Sequence, residues 1–226
     1  MKRQEIVFSW SGGKDSAFAL YEVERVGIYR VTRLFTTLTE GYDRISMHGV
    51  RRVLLEQQAR SIGLPLDMLY IPKNGTNKEY ESRLAELLEK YKRQNIRSVG
   101  FGDLFLADIR AYREKNLSKI KMQAVFPLWK KDTTQLAKNF LTLGFKAIVV
   151  CVDPKALDPS FTGRVIDAGF LNDLPSPVDP CGENGEFHSF VFDGPIFSEA
   201  IKFTVGEIVL RDGFYFCDLL PNQSIR

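Results

Sequence analysis

Cysteine is scarce in this chain. Cys151, Cys181 and Cys217 are three in 226 residues, an odd and widely spaced set with no C-x-x-C. That argues against a disulfide framework and against a zinc or iron–sulfur centre made of thiolates. It leads us to expect the reducing environment of a cytoplasm. No apolar run approaches the roughly 20 residues of a membrane helix. Met1-Lys2-Arg3-Gln4-Glu5 leads directly into a short apolar strand, with no signal segment in view, so we expect no membrane partner. Charge of one sign is missing too. With 31 basic and 28 acidic residues the net charge is +3, which gives little electrostatic reason to propose nucleic acid. Internal repeats and low-complexity segments are absent.

What is present reads as alternating strands and helices. Apolar, β-branched stretches at 6–8, 31–38, 68–71, 98–101, 125–126 and 146–152 are separated by helical patterns, so five or six strands point to a doubly wound parallel sheet. The clearest helix begins near Lys78, where Tyr80, Leu84, Leu87, Leu88 and Tyr91 form one apolar stripe and Asn77 is a candidate cap. Asp132 with Gln135 resembles a capping box, and Leu136, Phe140 and Leu143 form the buried face of the helix that follows. A helix from His48 to Gly63 is apolar on more than one side. It carries Arg51 and Arg52 in its first turn, against the dipole preference, and a bound anion or solvent would relieve that conflict. From Asp153 onward, Asp-Pro and Pro-Ser-Pro steps change the texture. We therefore expect an α/β domain over 1–153 and a small C-terminal domain over 154–226. The latter holds strands at 190–192 and 208–210 and a hairpin turn at Arg211-Asp212-Gly213.

Three stretches carry chemistry. Ser11-Gly12-Gly13-Lys14-Asp15-Ser16 joins the first strand to the first helix. Its glycines let bare N–H groups approach a ligand, the helix start favours an anion, and Lys14 adds a full charge. It is not a Walker A loop, whose glycines stand further apart and whose lysine precedes Ser or Thr. Gly102 and Asp103 end another strand, with Asp108, Arg110 and Arg113 close behind. In an open α/β sheet ligands bind off such strand ends, so this mixed-charge cluster is a candidate for substrate or phosphate. It also reads as a set of solvated ion pairs. Cys181-Gly182-Glu183-Asn184-Gly185-Glu186-Phe187-His188 packs two carboxylates and one of only two histidines into eight residues. Glu183, Glu186 and His188 have the chemistry to bind metal, handle protons or recognise an amine. Carboxylates do not cradle triphosphate, so we expect them to face metal, amine or nucleophile. Cys181 we read as structural.

SGGKDS resembles the PP-loop of the N-type ATP pyrophosphatases, which cleave ATP between the α and β phosphates. Together with GENGEFHSF it resembles the diphthine–ammonia ligase family, the ATP-binding type-4 branch of that superfamily. The likeness extends over nearly the whole chain, through Met47-His48, Gln58-Ala59-Arg60, Pro127-Leu128-Trp129 and Phe190-Val191-Phe192-Asp193-Gly194-Pro195. It implies a HUP-type doubly wound sheet with a small C-terminal domain. The implied activity is adenylation of a substrate carboxylate, loss of pyrophosphate and displacement of AMP by ammonia or another amine. In the best-known branch the carboxylate is diphthine on translation elongation factor 2. The stretch from Gly100 to Glu114 looks more like a bacterial subgroup, for which a small-molecule carboxylate is the other acceptor considered. On this resemblance Ser11, Gly12, Gly13, Lys14, Asp15 and Ser16 hold ATP with Mg²⁺ near Asp15, and Thr36 and Thr37 lie beside the base. His48, Arg51, Gly102, Asp103, Asp108, Arg110 and Arg113 serve the acceptor, and Lys14, Glu183, Glu186 and His188 catalyse. A homodimer is left open. The alternatives are a PP-loop enzyme acting on tRNA, disfavoured by the absence of paired cysteines, and an ATP or AMP sensor without turnover.

Overall fold

The computed structural model describes residues 3–45 and 49–222. Five strands form a parallel sheet: β1 (Gln4–Ser9), β2 (Tyr29–Thr39), β3 (Leu66–Ile71), β4 (Ser98–Gly100) and β5 (Gln123–Val125), in the order β3-β2-β1-β4-β5. Four helices make the crossovers: α1 (Lys14–Val26), α2 (Arg52–Ile62), α3 (Asn77–Arg93) and α4 (Ala107–Lys119). Because successive strand residues face opposite ways, β1 feeds two cores. Ile6 and Phe8 pack with α1 and α2, while Val7 packs with Leu88, Tyr91 and Leu117 from α3 and α4. The chain is therefore an α/β protein with a HUP-type doubly wound sheet.

Beyond α5 (Thr133–Thr142), the strands β6 (Lys146–Val152), β7 (Phe187–Asp193), β8 (Phe203–Arg211) and β9 (Phe214–Pro221) form a second, antiparallel sheet in the order β7-β6-β9-β8. A 3₁₀ turn (Pro159–Phe161) and the short α6 (Ala168–Asp173) lie between β6 and β7. This corrects the count of parallel strands to five. The apolar run at 146–152 is buried as its composition suggests, but between β7 and β9. Val149, Val150 and Val152 join the same hydrophobic core as Ile6, Ala17 and Leu54, so the second sheet packs on the α1–α2 side of the first.

Local signals explain most helix ends. Gly27 and Gly63 adopt the left-handed conformation that stops α1 and α2. Asp132 Oδ1 accepts from the Gln135 N–H at 2.7 Å and caps α5. The cap of α3 is Thr76 rather than Asn77, closed by a reciprocal bond from Thr76 N–H to Glu79. α2 begins at Arg52, with Arg51 as its N-cap.

Candidate active site

The strand order reverses between β1 and β4, and a cleft of about 250 Å³ opens there beyond their carboxyl ends. One wall is the loop from β1 into α1, another the loop after β4, and the third the start of β7 with the turn before it. Gly12 has φ +76°, and a Cβ there would come within 2.7 Å of Gln58 Oε1 and of a Leu55 methyl, so only glycine fits. Ser11 Oγ accepts from Gly13 N–H at 3.2 Å and donates to Ser16 Oγ at 3.0 Å, which in turn donates to Gly13 carbonyl at 2.9 Å. These bonds shape the loop around the first turn of α1, whose N–H groups and dipole favour an anion.

Lys14 is 5 % exposed. Its Nζ donates to Asp15 Oδ1 and Oδ2 at 2.8 and 2.7 Å and to the Cys181 carbonyl. Burial pulls the ammonium's pKa down most strongly, and Asp15, Cys181 and Glu183 together more than offset that, so Lys14 stands above its ordinary value and is charged at neutral pH. Burial is also the largest influence on Asp15 and pushes its carboxyl up, with Lys14 opposing.

Glu183 lines the cleft, and its Oε1 accepts from the N–H groups of Leu104 at 2.8 Å and Phe105 at 3.4 Å. The second sheet's turn is thereby anchored to the loop after β4. Burial first, then the neighbouring Asp15 charge, pushes this carboxyl up to about 7. His188, half-buried in β7, is pushed down to about 4 by burial, with Lys14 adding to it, and is neutral at physiological pH. A titratable carboxyl and a neutral imidazole thus face the same loop.

Gly102 and Asp103 also line the cleft. A Cβ on Gly102 would stand 2.9 Å from the Asp15 carbonyl carbon and the Ser16 nitrogen. Asp103 accepts from Arg113 Nε at 2.9 Å, and the guanidinium lies 4.4 Å from the Phe101 ring centre. Of the residues named from sequence, Ser11, Gly13, Lys14, Asp15, Ser16, Gly102, Asp103, Arg113, Glu183 and His188 therefore meet in one cleft.

Others go elsewhere. Arg51 Nη2 and Nε donate to Asp218 of β9 at 2.7 and 3.1 Å, and Arg44 donates to the same carboxylate at 2.8 Å. An internal carboxylate, not an external anion, balances the charge at the start of α2. Glu186 turns inward, accepting from Asp179 N–H and Asn184 Nδ2, both at 3.0 Å, and braces its own loop. Arg110 pairs with Glu114 at 2.7 Å and lies over the rings of Phe126 and Trp129. Asp108 is exposed in the first turn of α4. Thr36 is buried in β2, Thr37 bonds to Tyr80, and neither lines the cleft. His48 lies outside the described residues.

Two residues that hold the loop enter the sequence reading only as part of the family likeness, with no role given to them. Gln58, fully buried in α2, donates to the Gly12 carbonyl at 3.0 Å and the Val191 carbonyl at 2.6 Å, and accepts from Trp10 Nε1 at 3.0 Å. Ser189 Oγ in β7 accepts from the Lys14 N–H at 3.1 Å. The available signal was a polar residue set among apolar ones: Gln58 within a helix apolar on two sides, and Ser189 within a strand of phenylalanines. Val191 N–H also donates to the Gly12 carbonyl at 2.9 Å, so loop, helix and second sheet are fastened together at one point.

Among the described residues no helix is long and apolar enough to cross a membrane. Comparison with known proteins covers both sheets. The diphthamide synthase N-terminal domain model matches residues 4–124, and the C-terminal domain model matches residues 132–220. A diphthine–ammonia ligase of Danio rerio is 26% identical over 225 residues, spanning 89% of this chain and 87% of the relative. The Homo sapiens protein of that name is 24% identical over 229 residues, spanning 91% and 85%. The Schizosaccharomyces pombe one is 25% identical over 234 residues and spans 96% of this chain but 39% of its own length. With one domain model matching more than half of its length and the other most of the rest, this chain belongs to the diphthamide synthase family of enzymes.

Proposed function

We propose that this chain is an AMP-forming amide ligase. ATP binds in the cleft at the β1–β4 switch point, a carboxylate of the acceptor attacks the α phosphate, pyrophosphate leaves, and ammonia displaces AMP from the acyl-adenylate. The observation that carries this reading is the meeting of a charged, buried Lys14 at a helix start with Glu183 and His188 from the other sheet, in one cleft. Phosphate chemistry needs the first group and amine chemistry the other two.

The residues have separable roles. The loop's N–H groups and Lys14 hold the β and γ phosphates and offset the charge that develops on the departing pyrophosphate. Glu183, with its carboxyl near 7, takes the proton that ammonium must lose before it attacks. His188 stays neutral and leaves the cationic partner room to enter. Arg113, held by Asp103 at the cleft edge, receives the acceptor's carboxylate. Glu186, by contrast, we now assign to the shape of the turn.

Mg²⁺ fits the donor set. It is usually held by one or two carboxylates together with substrate phosphates, and Asp15 brings one carboxylate to the cleft wall, part-exposed and beside the loop. When bound, the ion would screen the phosphates' negative charge. The relatives' name suggests diphthine as acceptor, and the resemblance stated above adds elongation factor 2 as the protein that would carry it. The direct test supplies ATP, ammonium and either that protein or a small-molecule extract and follows AMP. Acceptor-dependent AMP supports the ligase, whereas ATP binding without AMP under every condition points to a sensor.

A further inference from the structure

β8 is the outer strand of the second sheet, and it is exposed on both faces from Glu207 to Arg211. Ile208, Val209 and Leu210 are 49, 36 and 60 % exposed. A long apolar edge of this kind is normally blunted by charge, proline or a covering element, because its free backbone groups template another strand. The backbone geometry says which groups are free. Asp212 and Gly213 both have positive φ, 51° and 85°, between Arg211 and Phe214, as in a two-residue hairpin turn of type I′. The closing pair Arg211–Phe214 then exchanges hydrogen bonds, and by alternation so does Val209–Phe216. Ile208 and Leu210 consequently point their N–H and C=O groups away from β9.

We propose that this edge pairs with the same edge of a second copy of the chain, antiparallel about a two-fold axis at Val209. In that register Ile208 faces the partner's Leu210, and these outward residues exchange hydrogen bonds on either side of the axis. Glu207 faces the partner's Arg211 twice over, once on each side. Gly206 and Glu207 form a β-bulge opposite Asp218, so the regular pairing across the axis ends at the Glu207–Arg211 pairs. Opposed residues share a face of the sheet, so apolar meets apolar and acid meets base. Moving the axis to Ile208 or Leu210 sets Glu207 against Val209 or Gly213 and leaves the charges unmatched. The strand is thus self-complementary in one register, which is what a two-fold interface requires and an unrelated partner does not. The result is a continuous sheet of two four-stranded halves, with each cleft at the opposite, β7 edge of its own half.

Sedimentation equilibrium of the full chain tests this. The wild type is expected to be a dimer. Glu207→Arg and Arg211→Glu each set like charges opposite one another twice and should raise the dissociation constant about tenfold or more. The double exchange E207R/R211E restores the opposite-charge pairs and should return it to the wild-type value. Val209→Lys places two lysines across the axis and should give monomers with an unchanged far-UV spectrum. A monomeric wild type overturns the proposal. So does a dimer indifferent to these changes, which would use another face, or a double exchange no tighter than either single one.

Discussion

Replacing Glu183 by glutamine should make the protein more stable and the enzyme slower, and the size of the first effect follows from the site. The carboxyl moves from its ordinary 4.5 to about 7 because folding buries it near Asp15. Between those values the folded chain keeps a proton that the unfolded chain has released, so stability falls as pH rises from about 4.5 and the full penalty is present above about 7. A shift of that size corresponds to about 3 kcal/mol for a fully buried group. Glu183 lines an open cleft, and solvent screening reduces this to about 1–2 kcal/mol. Glutamine keeps an oxygen for the Leu104 and Phe105 N–H groups and buries no charge. Urea denaturation at pH 8 should therefore show the variant about 1–2 kcal/mol more stable, with the gap closing by pH 4.5. Amide formation should drop about 100-fold through loss of the proton acceptor. An equal stability difference at both pH values, or a variant less stable at pH 8, would refute the reasoning about burial and charge.

Other outcomes follow from the same geometry. Lys14→Ala should lower AMP formation by about 100- to 1000-fold with the fold intact, read by a radiolabelled ATP assay beside circular dichroism. Gly102→Ala drives a methyl to 2.9 Å from the backbone of Asp15 and Ser16, and calorimetric titration should show ATP affinity lost before the melting temperature collapses. Gln58→Leu strands the buried Trp10 N–H and the Val191 carbonyl. It should cost about 2–5 kcal/mol in denaturant melts, far more than a typical surface change. His188, held near 4 against an ordinary 6.5, favours the unfolded chain as pH falls below about 6.5. His188→Gln should flatten that acid-side loss in melting curves taken between pH 4 and 7.

How much of this was legible beforehand depends on the range of the interaction involved. The strand–loop–helix at Ser11 to Ser16 is local: glycines, a lysine and a helix start lie in one stretch, and the parallel sheet around it follows from alternating apolar runs. The strand at 146–152 shows where such a reading stops. An all-apolar run says that both faces are buried but not by which sheet, and here the neighbours are β7 and β9. Arg51 makes the same point in charge. Its clash with the α2 dipole was visible, but its partner Asp218 lies 167 positions away. In the turn before β7, Glu183 and Glu186 look equivalent in sequence. Only the fold sends one to the cleft and the other into its own loop.

The measurement that bears most directly on the central claim is the fate of α-labelled ATP. It would be incubated with Mg²⁺, ammonium and a diphthine-bearing acceptor, with wild-type protein and Lys14→Ala side by side. The wild type should give acceptor-dependent AMP, with amide appearing in equal amount, and the variant almost none. ADP as the product, or AMP formed equally well without Lys14, would contradict it.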